Sequence, residues 1–504
     1  MRFLICPYCD RIVTPMKKNA LKKCIALILT ASVFAGCGSS VATEISPIVE
    51  IDESVVSMLD APDIGYEKEQ MLPSIMIDAL GYDCYAEKLA IIEAPILPSE
   101  FTVHNKDTGE VVKRSKVKVR EATEDGDLYT GNIDFSDVTE PGTYYIEAEL
   151  IGRSNDFEIK EGCYDEILLS YYEKFRALRD KTDAEVTVPF EGNAEATLEV
   201  SGGWITGEDG RKDVCEGCLA VQDILTGVEY FPSVFGDDWN SPDSGNKIPD
   251  IVDEAMFEAT WLLKMQNPET GGVYTAVAPK TNEQGTAEGF VVMGETTRAT
   301  AYFCATMARL SYMIKKFDPK FSAKCIEAAN LSWKCLEKNK ELVDSAQMFR
   351  AAVEMYRAVG YAAYGSVIDK YLKENADKDY EERIVLDGAM VYMSSTRATN
   401  VDHCMRLMEH FMSRTEDKSN ASRASRYLVE PGEIDLNGLI RNVFELSVVD
   451  YIISNREYKM IEENYLHYFC GRNPESVVYC DMVNTPDAYA ELLVVLAKTA
   501  ARHR

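Results

Sequence analysis

From Tyr164 onward the chain repeats one pattern: apolar residues at helical spacing, interrupted by short polar loops. "YDEILLSYYEKFRALRD" carries it, and so does "IPDIVDEAMFEATWLLKMQ", where Ile248, Ile251, Ala255, Ala259 and Leu262 fall on one helical face. Pro249 suits a first helical position, and Asp250, Asp253 and Glu254 suit the positive end of the helix dipole. The same period returns over 293–316, 320–338, 344–359, 361–373, 400–415, 437–453, 457–469 and 486–501. Helices in such succession, with little strand signal between them, predict an all-α domain. Periodicity alone leaves a ring of helical hairpins, a bundle and a solenoid open.

Ahead of it, from about 72 to 160, the texture is that of strands. "KLAIIEA", "SEFTVHN", "EVVKRSKVKVRE" and "GTYYIEAEL" are short β-rich runs, separated by the turn signals "DTGE", "EDGD" and "EPGT". That spacing predicts a β-sandwich. Nothing in it has catalytic character, so it reads as a packing or spacer module.

The first residues read as an export signal. Lys17, Lys18, Lys22 and Lys23 form a basic region after Met16, and Cys24 to Phe34 is apolar but too short to span a bilayer comfortably. The run ends in Phe-Ala-Gly-Cys, similar to a bacterial lipobox with Cys37 as the lipidated residue; Phe34 stands where leucine is usual. Residues 1–15 precede this signal and are read as a stretch ahead of the true start at Met16 that is not translated, which would make Cys6-Pro-Tyr-Cys9 a decoy. The expected division is 1–37 leader and signal, 38–70 acidic linker, 71–161 β-sandwich and 162–504 helical domain. The expected location is the bacterial cell surface, with the membrane reached through the lipid anchor alone.

Charge narrows the partners. Asp and Glu number 83 against 53 Lys and Arg, a net charge of −30, which repels phosphate backbones and argues against nucleic acid. A neutral polysaccharide is compatible with it. The 14 cysteines are read as mostly reduced and structural. The second CxxC pair, Cys215–Cys218, matches a redox or zinc pattern only weakly on its own. No cofactor is expected. "FGDDWNSPDSGN" offers oxygen ligands that a structural calcium ion would accept, but its spacing alone does not establish a site.

Several segments together resemble the family 9 glycoside hydrolases that carry an N-terminal immunoglobulin-like domain. They are "SIMIDALGYDCYAEKLAII", "SGGW" followed by Asp209, "YFPSVFGDDWNSPDSGNKIPDIVDEAMFEATWLLKMQNPETGGVY", "TTRATAYFCATMARLSYMIKKFDPKFSAKCIEAANLSWKCLEKN" and "FCGRNPES". The resemblance spans roughly residues 72 to 480. It implies an immunoglobulin-like sandwich followed by an (α/α)6 barrel, whose cleft hydrolyses β-1,4-glucans with inversion.

Inverting hydrolysis needs a carboxylate base for water and a protonated carboxyl for the leaving oxygen, held about 6.5–9.5 Å apart. In the resembled family two aspartates, three residues apart, follow the Gly-Gly-Trp. Counted from Trp204 without gaps they fall on Thr206 and Asp209, so the base survives and its partner does not. Glu208 is adjacent to the base. The family's acid Glu, aligned on "VVLA" in the last helix, falls near Val483, in "DMVNTP"; Asp481, Asp487 and Glu491 are the nearby carboxylates, and Glu491 is the candidate acid. The long segment that carries a histidine-arginine motif in the family shrinks here to about a dozen residues between Pro474 and Pro486. His403 and His410 lie on a helical pattern and read as structural.

Binding potential remains. Trp204, Trp239 and Tyr274 are loop aromatics on which sugar rings could stack, with Thr206 and Glu208 beside them. Trp261 and Trp333 lie on helical segments and read as core. Two functions stay open. One is a surface-anchored β-1,4-glucanase-like enzyme with Asp209 as base and catalysis impaired. The alternative is a glycan-binding lipoprotein that does not cleave; a purely structural protein would need the aromatics buried.

Overall fold

The computed structural model describes residues 74–122, 128–182, 184–282, 287–376, 383–430 and 435–503. They belong to one compact unit that begins at Met71. Cys37, the acidic linker and the Cys6–Cys9 pair lie outside the described residues.

The expected β-rich domain comes first. Its strands are β1 (Ile75–Met76), β2 (Tyr82–Asp83), β3 (Leu89–Ala94), β4 (Glu100–Asn105), β5 (Val111–Lys116), β6 (Lys118–Ala122), β7 (Tyr129–Asp134), β8 (Gly142–Ala148), β9 (Gly152–Arg153) and β10 (Phe157–Lys160). One sheet runs β1-β3-β7-β6; the other runs β2-β10-β8-β4-β5, with β9 on the flank of β8. Alternation does the folding. In "EFTVHN", Phe101 and Val103 turn inward to join Ile92, Ile133, Phe135, Ile146 and Phe157 in a core closed to water.

Helices follow: α1 (Asp165–Leu178), α2 (Val214–Tyr230), α3 (Asp250–Lys264), α4 (Thr297–Ile314), α5 (Pro319–Lys338), α6 (Ser345–Val359), α7 (Ala362–Glu374), α8 (Arg383–Ser394), α9 (Val401–Ala424), α10 (Leu436–Ile453), α11 (Arg456–Phe469) and α12 (Pro486–His503). The even-numbered helices pack each against the next, and α12 returns against α2. The odd-numbered ones alternate with them in sequence. Trp261 and Trp333 are core residues, as expected, and His403 is buried with Nε2 2.8 Å from Asp369 Oδ1. Among the described residues no helix is long and apolar enough to cross a membrane.

The helical domain holds more strand than its pattern predicts. Strands β11 (Thr187–Phe190), β12 (Asn193–Glu199), β13 (Lys212–Asp213), β15 (Ala276–Thr281) and β16 (Ala287–Val292) form a sheet in the order β12-β11-β16-β15-β13, while β14 (Val273–Tyr274) pairs with β17 (Glu295–Thr296). They are excursions between helices, and their short, half-exposed runs carry little apolar alternation.

The sandwich meets the helices through buried polar groups. His467 Nδ1 lies 2.8 Å from Asp78 Oδ2, with both side chains 1% exposed. Ala79 donates its amide to the Cys470 carbonyl at 2.8 Å. Arg472, fully buried, donates to the Leu89 carbonyl and to Asn464. The "GRNP" segment is therefore a latch between the domains. The described cysteines are all free thiols. Cys215 and Cys218 are buried on α2, and burial pushes both thiols up, so this pair packs as small apolar groups.

Candidate functional site

The even-numbered helices begin at one end of their ring. Arg383, the first residue of α8, donates through Nη1 to Asp487 Oδ1 at 2.8 Å and to Glu491 Oε1 at 2.5 Å, both near the start of α12. Arg441, in the second turn of α10, lies 3.5 Å from Asp487 and 3.4 Å from Glu491. Arg298, at the start of α4, interacts with Asp213 and Cys215 at the start of α2. Positive helix ends gathered in one place favour carboxylates there, and the sequence supplies them.

The loop leading into α2 carries the motif residues. Gly202 and Gly203 have φ of +79° and +77°. A Cβ on Gly203 would stand 2.5 Å from Trp261 Cγ, so only glycine lets this backbone lie on the indole. Trp204 then drops inward. Its amide donates to Glu258 Oε2 at 2.6 Å, its indole N–H to Glu254 Oε1 at 2.7 Å, and its ring sits 5.2 Å from Phe175. It is 0% exposed, which corrects the expectation of a sugar-stacking platform: Trp204 is an internal anchor for the loop.

Beyond Trp204 the chain makes a tight turn. The amides of Thr206 and Gly207 donate to the Arg211 carbonyl, and Asp209 Oδ1 accepts the Arg211 amide at 3.1 Å. Asp209 and Glu208 are both exposed. Thr206 is engaged with the turn's own backbone: its hydroxyl donates to the Arg211 carbonyl at 3.3 Å and accepts the Asp213 amide at 3.1 Å. Asp213 caps α2, accepting the amides of Cys215 and Glu216. Burial, with Asp213 nearby, pushes the Glu216 carboxyl up.

An aromatic that the sequence reading missed lies over this turn. Phe290 on β16 is 39% exposed, and its Cζ lies 2.9 Å from where a Gly210 Cβ would be. Its signal was the strand pair β15–β16, which was not recognised.

The acid side differs from expectation. Val483, near the aligned position of the family's acid, is an apolar side chain 4% exposed. Asp481 is exposed in a short 3-10 turn. Asp487 is 20% exposed and paired with both arginines. Glu491, the candidate acid, is corrected: it is 1% exposed and held between Arg383 and Arg441. Burial pushes its pKa up to about 7, against the opposing pull of Arg383 and Arg441. Asp223 of α2 and Asp387 of α8 complete the ring of carboxylates around the Arg383 guanidinium.

Trp239 and Tyr274 are half-buried, against Tyr172 at 5.2 Å and Phe190 at 5.0 Å. In the acidic loop, Asp237 accepts the amides of Gly245 and Lys247, and Asp250 accepts Trp239 N–H and the hydroxyls of Ser241 and Ser244. These carboxylates serve the loop's own backbone. Among the described residues no group of three or more His, Cys, Asp or Glu is placed to hold a metal ion. Chemically, the end of the ring offers an exposed carboxylate at Asp209, one exposed aromatic beside it, and acids tied up in ion pairs.

Comparison with known proteins gives a consistent answer. The profile of glycosyl hydrolase family 9 matches residues 166–490, more than half of the chain. That of the cellulase N-terminal Ig-like domain matches 70–153. Endoglucanase D of Acetivibrio thermocellus is 24% identical over 516 residues, covering 90% of this chain and 76% of its own. A xyloglucan-specific endo-β-1,4-glucanase of Bacteroides ovatus is 27% identical, covering 53% of this chain and 50% of its own. Among solved structures, a metagenome-derived glycoside hydrolase family 9 endoglucanase superposes with a TM-score of 0.74 at 21% identity, over 85% of this chain and 99% of that one.

Proposed function

Because the chain belongs to glycosyl hydrolase family 9, we propose that it engages β-1,4-linked glucan or a related plant polysaccharide at the helix N-terminal end of its ring, with hydrolysis impaired. The ring of even-numbered helices, backed by the odd-numbered ones, is read as an (α/α)6 barrel. The names of the similar proteins, an endoglucanase and a xyloglucan-specific endo-β-1,4-glucanase, support the substrate class.

The impairment rests on the expected position of the acid, near Val483, where the side chain is apolar and buried. Inversion would proceed with Asp209 taking a proton from water while a second carboxyl protonates the leaving oxygen. Asp209 is exposed and accepts one amide hydrogen bond, which leaves oxygen lone pairs for a water. Neither Glu491, the expected acid, nor Asp487 replaces the donor without breaking an ion pair, since both are bound to Arg383. A missing general acid costs about 10²–10⁴-fold in rate. The second reading, a lipoprotein that binds glycan without cleaving it, follows from the same replacement taken to its limit. Attachment through Cys37 would hold either form at the cell surface.

Affinity electrophoresis in soluble β-glucan tests the binding half of this reading. Retardation is expected, weakened roughly fivefold in Kd by Trp239→Ala or Tyr274→Ala, the scale of one lost ring contact of about 1 kcal/mol. Migration indifferent to every glucan tried would sink it.

A further inference from the structure

The segment that latches the sandwich to the helices is bounded by two cysteines. Cys470 directly follows α11, and Cys480 lies in the short turn ahead of α12. The chain between them folds back on itself. Cys470 and Val478 form an antiparallel bridge. Asn473 holds the turn, its side-chain nitrogen donating to the Tyr468 and Val477 carbonyls and its oxygen accepting the Val477 amide. That return brings the two sulfurs to 3.7 Å, with both residues buried.

Both backbones are fixed where they stand. Cys470 donates its amide to the Leu466 carbonyl at 2.9 Å, and its carbonyl accepts the Ala79 amide from the sandwich at 2.8 Å. The Cys480 carbonyl accepts the Tyr171 hydroxyl at 3.0 Å and the Lys174 ammonium at 2.7 Å, both from α1. Between the cysteines, Arg472 reaches the Leu89 carbonyl of the sandwich. Bonded sulfurs sit about 2.0 Å apart, so joining this pair needs an approach of about 1.7 Å. The Cys480 thiol alongside, together with burial, pushes the Cys470 thiol up. Little thiolate is then present in the folded chain to exchange. Oxidation therefore belongs to folding, before the seam closes, and the finished bond is shielded from reductant.

We propose that Cys470 and Cys480 are a disulfide site, oxidised as the chain folds, whose bond clips the interdomain latch. The oxidant is a small-molecule disulfide. The Cys470 thiolate attacks one of its sulfurs and expels a thiolate; the Cys480 thiolate then attacks Cys470 Sγ in the mixed disulfide and expels the second. One S–S bond breaks and one forms, two electrons pass to the oxidant, and the two cysteine protons end on the released thiols. The new bond restricts residues 471–479 in the unfolded chain, which favours the folded one. The inference does not rest on the glucan reading.

Peptide mapping decides the matter. Full-length protein, reduced and unfolded, is refolded with reduced and oxidised glutathione, alkylated at its free thiols and digested with trypsin without reduction. Cleavage after Arg472 separates the two cysteines, leaving Cys470 in 460–472 and Cys480 in 473–498. Mass spectrometry should show these two peptides joined, two hydrogens lighter than their sum. The bond should survive dithiothreitol in the folded protein and yield to it in guanidinium. Oxidised protein should melt roughly 2–5 °C above the same protein refolded without oxidant. That difference should vanish in Cys480→Ala, each protein being compared with its own reduced form. The wild-type map decides even where the variant fails to fold. Both cysteines recovered alkylated, or linked to other cysteines instead, would overturn the proposal, as would a joined pair that leaves the wild-type melt unchanged.

Discussion

Glu258 shows what single residues do here. Its carboxyl is fully buried, accepts one hydrogen bond from the Trp204 amide and leaves Oε1 without a partner. Burial pushes its pKa from 4.5 to about 8. The folded chain then keeps a proton that the unfolded chain has released, so this group's contribution to stability falls as pH rises from about 4.5 to about 8. Glu258→Gln keeps an oxygen for Trp204 and removes the titration. Denaturant midpoints across that window should decline less steeply in the variant, which should be the more stable protein above pH 8. At this scale the sequence was a partial guide. Gly-Gly-Trp marked the loop, but it did not say that Trp204 points inward. The clue was on α3, where Glu254 and Glu258, four apart, border the apolar stripe of Ala255 and Ala259 and supply its two acceptors.

At the scale of elements, the entry into α2 fixes the position of the Asp209 turn. Asp213 caps that helix and pairs with Arg211 at 3.0 Å. Asp213→Ala should cost about 1 kcal/mol and lower the melting temperature measurably. Gly203→Ala should do more, roughly 2–4 kcal/mol, because a Cβ meets the Trp261 ring and the backbone is left-handed there; calorimetry reads both. α5 and α7 were legible because each keeps an exposed polar face. α2 and α8 were not, since they lie inside the ring: α2 buries residues around its whole circumference, including Gln222 and Asp223, so no period of 3.6 stands out. The β11–β16 sheet escaped for the opposite reason, having too little buried surface to alternate.

On the scale of the whole molecule, a β-rich domain ahead of a helical one was readable from the change of period near Tyr164. The seam between them was not, because it depends on residues hundreds of positions apart. Asp78 and His467 meet there in full burial. Removing one partner of such a pair costs about 3–5 kcal/mol. Asp78→Ala should therefore lower the melting temperature and separate one calorimetric transition into two. The acid site was legible only as a replacement: alignment placed it near Val483, and the structure added that the neighbouring carboxylates Asp487 and Glu491 are claimed by Arg383 and Arg441. The most direct test of impaired hydrolysis is reducing-end release by the chain from Gly38 onward on amorphous cellulose, mixed-linkage glucan and xylan, with Asp209→Ala beside it. The expected result is no turnover above the variant on any substrate; turnover that vanishes in Asp209→Ala would contradict the account and show that a working acid has been rebuilt.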